Sequence, residues 1–271
     1  MQTFRAVAAA SVAVVLLGLS PGSASAQEAE RLPFDHIHLR VSNPAEAFLW
    51  YYRNFGGSVI SEAPNRLRYG STRLMFLSGE ASPSQGSAID HIGFSVPDID
   101  EALAKMERNG VSVTNPVRDI PGLFKLAFVE DPWGTRIEVV EDPELLGLHH
   151  VHLRSPDPEG TLEWLEDNFG GERRQLKGMI DAMFYTGSGF SDVWVLVQEG
   201  ESTPSTEHSI DHVGWRVVDL AGKVHTLEDH GVEIENQPRF LPLPDNTSLY
   251  YSYVAGPAGA RLELVQRFVE D

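Results

Sequence analysis

Two histidines and a glutamate recur in the same order in each half of this 271-residue chain: His36, His91 and Glu138, then His150, His212 and Glu263. Imidazole and carboxylate together suit a divalent ion, and three such ligands leave coordination positions open, as a catalytic metal needs. The chain contains no cysteine, so neither a thiolate site nor a disulfide is possible. A single histidine in a strand is ordinarily structural, and a single glutamate is ordinarily solvated. Here each type recurs at matching points of two halves that have diverged around them.

The elements that must position these residues are themselves repeated. Asp35-His-Ile-His-Leu-Arg-Val returns as His149-His-Val-His-Leu-Arg-Ser, and each is followed by a tryptophan and an Asn-Phe-Gly-Gly. Ile89-Asp-His-Ile-Gly-Phe returns as Ile210-Asp-His-Val-Gly-Trp, and Asp131-Pro-Trp-Gly-Thr-Arg-Ile-Glu as Gly256-Pro-Ala-Gly-Ala-Arg-Leu-Glu. Three repeats in one order mark a duplication, with the boundary in the acidic stretch Glu141 to Leu146. Each half divides again into a strand, a short amphipathic helix and further strands. One helix is predicted after Asn43-Pro44, stopping at Gly56-Gly57. Another is predicted after Asp98, with Ala102, Leu103 and Met106 on one face and an end at Gly110. Alternating runs at Leu67–Tyr69, Arg73–Leu77, Lys125–Val129 and Arg136–Val140 read as strands. The expectation is an α+β fold of four βαβββ units.

Strand alternation sorts the polar residues onto one face. Ile37, Leu39 and Val41 pack under a helix, leaving His36, His38 and Arg40 opposite; Ile92 and Phe94 pack, leaving His91 and Gly93. The same count leaves Arg136 with Glu138, then His150, His152 and Arg154, then His212, Gly214 and Arg216, and finally Arg261 with Glu263. If the units curl into two open barrels, these faces line two cavities. His38 and His152 are then outer-sphere groups, alternative ligands or plain wall histidines. The arginines Arg40, Arg136, Arg154, Arg216 and Arg261 are expected to favour a carboxylate- or phosphonate-type anion beside the metal.

Asp-His-[Ile/Val] on a first strand and Pro-x-Gly-x-x-[Ile/Leu]-Glu on a last one resemble the vicinal oxygen chelate superfamily, from Phe34 to about Phe268. That group includes glyoxalase I, bleomycin-resistance proteins, fosfomycin-resistance thiol transferases and extradiol dioxygenases. The resemblance implies two tandem cupped half-barrels over 34–143 and 147–271, each holding one divalent metal (zinc, manganese or ferrous iron). It assigns His36, His91 and Glu138 to the first, and His150, His212 and Glu263 to the second. His38, Arg40, Arg136, His152, Arg154, Arg216 and Arg261 are the implied substrate-facing residues. Four-ligand members add a residue from the last strand of the first unit, but Leu74–Leu77 and Val193–Val197 offer none. Extradiol enzymes also use a tyrosine ten residues before the ligand glutamate. Tyr253 stands there in the second half and Phe128 in the first, so chemistry is expected in the second half, with Tyr253 catalytic. The implied function is Lewis-acid stabilisation of an oxyanion on a small chelating substrate, as a lyase, isomerase or dioxygenase. A thiol transferase and a non-catalytic drug-binding module are the alternatives.

A formal charge of −18 spread along the chain argues against nucleic acid and anionic membrane as partners and leaves a small molecule. Residues 1–26 read as an export signal: Arg5, an apolar run from Ala6 to Leu19, then Ala24-Ser25-Ala26 before the expected cleavage. A periplasmic or secreted product, free of the membrane after cleavage, follows from that reading.

Overall fold

The computed structural model describes residues 31–60, 66–187, 190–243 and 247–269; the expected signal segment lies outside them. Four βαβββ units follow one another. The first runs β1 (Phe34–Val41), α1 (Pro44–Phe55), β2 (Ser58–Val59), β3 (Arg66–Tyr69) and β4 (Thr72–Ser78). The second comprises β5 (Ile89–Ser95), α2 (Ile99–Arg108), β6 (Ser112–Asp119), β7 (Lys125–Glu130) and β8 (Arg136–Val140). The third comprises β9 (Gly147–Ser155), α3 (Pro158–Phe169), β10 (Glu172–Leu176), β11 (Ile180–Gly187) and β12 (Phe190–Glu199). The fourth comprises β13 (Ile210–Arg216), α4 (Leu220–Asp229), β14 (Arg239–Pro242), β15 (Thr247–Ala255) and β16 (Arg261–Val269).

Each helix starts where the sequence supplies a cap. The side chains of Asn43, Asp98, Asp157 and Asp219 accept from the backbone N–H of Glu46, Glu101, Gly160 and Gly222. Such caps contribute about 1 kcal/mol each. α1 and α3 both stop on a glycine pair at positive φ, Gly56-Gly57 and Gly170-Gly171, a conformation that a side chain disfavours. The apolar stripes of the helices meet the apolar faces of the strands in one core. At its centre, fully buried Trp215 meets Phe34, Phe169 and Tyr185 with ring centroids 5.1, 4.8 and 5.4 Å away. Among the described residues no helix is long and apolar enough to cross a membrane.

The sheets join units across the duplication. One eight-stranded sheet has the order β14-β15-β16-β13-β1-β4-β3-β2, so it combines the first unit with the fourth. The other, β10-β11-β12-β9-β5-β8-β7-β6, combines the second with the third. Four βαβββ units in two sheets are as expected, but each sheet draws on both halves rather than on one. The short stretch 141–146 carries the chain from β8 across β5 and lays β9 antiparallel on β5, with His150 facing Gly93. β1 and β13 are thereby left to pair with each other, His36 facing Gly214.

Candidate metal centres

The concave face of each sheet brings four metal-ligating side chains together. His36, His38, His212 and Glu263 form the first centre, and His91, Glu138, His150 and His152 the second. Within each group one ligand atom per residue lies within 4.8 Å of all the others. The sequence-based sets are therefore exchanged: His36 partners His212 and Glu263, and His150 partners His91 and Glu138. All six residues expected as ligands fall in these two groups, each beside a residue from the opposite half. His38 and His152, left open from sequence, stand inside the centres. Each adds a fourth potential donor to its group.

In the first centre Glu263 Oε2 lies 2.9 Å from His36 Nε2 and 2.7 Å from His212 Nε2, and His38 Nδ1 lies 2.5 Å from His212 Nε2. In the second, Glu138 Oε2 is 3.1 Å from His91 Nε2 and 3.2 Å from His150 Nε2, while His152 Nδ1 is 3.0 Å from His91 Nε2. Opposite each first-strand histidine the partner strand carries a glycine. A Cβ on Gly214 would come within 2.1 Å of His36 Cε1, and one on Gly93 within 2.0 Å of His150 Cε1, far inside van der Waals contact. Those glycines make room for the imidazoles, a role that the sequence reading did not give them.

Behind the centres, buried carboxylates fix the imidazoles. With its proton on Nδ1, His36 donates to Asp35 (3.1 Å), His91 to Asp90 (2.7 Å) and His212 to Asp211 (2.6 Å). This directs the Nε2 lone pair inward, the arrangement by which outer carboxylates orient metal-bound histidines. Burial pushes Glu138 and Glu263 up, but the hydrogen bonds and charges of their histidines outweigh it and hold both well below the ordinary carboxylate range. Burial also depresses His38, reinforced by His212 and His36, and depresses His152, reinforced by His91 and His150. Both stay neutral, the form that ligates. For His91 and His212, burial is outweighed by the carboxylates on either side, and their values rise.

Most of the expected anion-binding arginines serve those carboxylates instead. Arg40 donates to Asp211, Arg136 Nη1 to Asp90 at 2.7 Å, and Arg216 Nη2 to Asp35 at 2.7 Å, beside Arg73 and Arg267 on the same carboxylate. Arg261 is held by Glu235 at 2.8 Å and approaches Asp211, and Arg154 donates to the Glu201 carbonyl at 2.7 Å. Each of these guanidinium groups thus has a protein acceptor, and a buried carboxylate needs such a cation. Tyr253 does reach a centre. It faces Glu263 across the β15–β16 ladder, its ring is 5.0 Å from that of His212, and Arg261 lies 4.9 Å above it. Burial and the Glu263 and Asp211 charges raise the phenol, so it remains a proton donor. Phe128 holds the matching place beside His91, 5.3 Å between centroids. His208, His225 and His230 lie elsewhere: His208 Nδ1 bonds the Pro83 carbonyl, His225 is exposed on α4, and His230 contacts Asn168.

The donor set fits a divalent ion. His150 Nε2 is buried without a well-directed hydrogen bond although Glu138 is close, as expected of an atom aimed at a metal rather than at a proton. A model of the Glyoxalase/Bleomycin resistance protein/Dioxygenase superfamily matches residues 34–139 and 147–264. The chain belongs to that superfamily. It is 39% identical over 121 residues to the lactoylglutathione lyase of Salmonella typhimurium, a match covering 39% of this chain and 90% of that enzyme. To the lactoylglutathione lyase of Escherichia coli O157:H7 it is 40% identical over 60 residues, 22% of this chain and less than half (44%) of that enzyme. Its fold is that of glyoxalase I from Zea mays, with a TM-score of 0.67 over 87% of this chain and 92% of the maize chain at 18% identity.

Proposed function

We propose that this protein is an exported, divalent-metal-dependent enzyme of the glyoxalase type, acting on a small substrate that chelates through adjacent oxygens. The observation carrying this reading is the convergence of His36, His38, His212 and Glu263, three imidazoles and one carboxylate with donor atoms within 4.8 Å of one another. A four-donor set favours lyase or isomerase members of the superfamily over the three-ligand dioxygenases and thiol transferases. A bound metal would supply Lewis acidity to a substrate oxygen. Around it, Glu263 is held ionised, the form that donates to a metal, and Tyr253 beside it is held protonated as a proton donor. Asp35 and Asp211 keep His36 and His212 aimed. The second centre has the same donors but Phe128 in place of the tyrosine, so the first centre is the favoured place for chemistry. Export rests on the signal-like pattern of residues 1–26.

The test combines elemental analysis of the purified protein with two assays, turnover of lactoylglutathione and oxygen uptake with catechols. The proposal expects two ions per chain, lyase-type turnover lost on removal of metal, and no oxygen uptake. Metal-free active protein, or catechol-dependent oxygen uptake, would overturn it.

A further inference from the structure

The four histidines that open the units are not backed alike. Three are backed by the aspartate that precedes them: Asp35, Asp90 and Asp211. The fourth, His150, follows His149, and the two rings face each other through Nδ1 at 2.9 Å. His149 is fully buried, and its Nε2 lies 3.3 Å from Asp142 Oδ2. Asp142 is itself buried and held by Lys177 Nζ at 2.9 Å and by the backbone N–H of Glu144 at 3.0 Å.

Counted from the ligand glutamates Glu138 and Glu263, Asp142 occupies the place that Arg267 occupies in the other sheet. Arg267 bonds Asp35, the counterpart of His149. The charge pattern is thus reversed at both positions together, with acid–base in one cup and imidazole–acid in the other. The hydrogen-bond directions close in one way only. For His150 Nε2 to present a lone pair to the centre, His150 Nδ1 must carry the proton and donate to His149 Nδ1. His149 then carries its own proton on Nε2 and donates it to Asp142. The chain of donors ends on a carboxylate, one ring further out than in the other three units.

We propose that His149 and Asp142 act as a two-residue positioning relay that orients His150 toward a metal ion, replacing the single aspartate used elsewhere. The inference rests on the metal-binding reading above. It extends that reading to two residues that touch neither ion nor substrate.

The experiment measures zinc affinity by chelator competition on the full chain, in a His36→Ala/His212→Ala background that confines binding to the second centre. Asp142→Asn is expected to weaken zinc about 10- to 100-fold, the usual effect of losing an outer partner of a metal-bound histidine. His149→Asp/Asp142→Asn is expected to recover to within a few-fold of the background chain, because the restored aspartate makes Asp142 unnecessary. Recovery in a chain that still carries the damaging Asp142→Asn change separates orientation from general loss of fold. Thermal melts of each variant provide a second readout. Unchanged zinc affinity in Asp142→Asn, or a double variant as weak as Asp142→Asn, would overturn the relay. If the background chain bound no zinc, the cross-half second centre would fail as a metal site, and the relay with it.

Discussion

His36 lies across the β1–β13 ladder from Gly214, so close that the glycine has no room for a β-carbon. The imidazole of the first half thus rests on the backbone of the second. Gly93 and His150 repeat the arrangement in the other sheet. The contact is between backbone and a ring already fixed by Asp35, so it cannot be relieved by moving a flexible side-chain end.

Gly214→Ala should therefore push His36 off its aspartate and lower metal affinity at the first centre at least 10-fold, leaving the second intact. The overpacking should cost about 1–3 kcal/mol of stability. Gly93→Ala should do the reverse. Metal stoichiometry of the two variants, each falling by one ion, checks both.

Metal removal should destabilise the whole molecule, because each centre ties together strands from opposite halves. An ion present at a hundred times its dissociation constant stabilises the folded state by about 2.7 kcal/mol. Chelator should lower Tm in the parent, and the shift should be roughly halved in Glu138→Gln or Glu263→Gln.

Tyr51 on α1 donates to Asp131 Oδ2 at 2.8 Å, and both are buried. The bond links the first unit to the second and so couples the two sheets; the matching residues of the other half are Leu165 and Gly256. Tyr51→Phe should cost about 1–3 kcal/mol, the penalty for leaving a buried acceptor short of a donor, read by denaturant unfolding.

Burial pushes the Asp131 carboxyl up to about 6, against the hydrogen bonds from Thr135, Tyr51 and Trp133 that lower it. A folded value above the unfolded one, about 3.9, means that its contribution is full below pH ~4 and is lost as pH rises through about 6. Asp211 behaves oppositely. Its hydrogen bond to His212 and the Arg40 charge outweigh burial and hold it at about 2, so its contribution is lost as pH falls from about 4 toward 2. Asp131→Asn should flatten the pH 4–6 slope of unfolding free energy and leave the acid limb unchanged.

Much of this was legible in the chain because duplication repeats its own evidence. The Asn43 and Asp98 caps, the Gly56 stop and the strands around Leu67, Arg73, Lys125 and Arg136 stand where turn chemistry and alternation put them. Alternation also placed all six expected ligands on the concave faces. It could not say which unit faces which, since in-half and cross-half pairing give every strand the same inward residues. That choice lies in the long-range β1–β13 and β5–β9 ladders. The carboxylate partners of the arginines were not legible for a related reason: face and period show where a side chain points, whereas the partner that takes its charge is decided by register. The Asp preceding three of the ligand histidines was the available signal. A buried carboxylate beside an imidazole needs a cation, and Arg40, Arg136 and Arg216 provide it.

The pairing of the centres can be tested directly by counting metal in two double variants. His36→Ala/His212→Ala removes two ligands from one cross-half centre, so this chain should retain one ion, whereas His36→Ala/His91→Ala damages both centres and should retain none. The opposite outcome, no ion in the first variant and one in the second, would mean that each half builds its own centre, and would contradict this account.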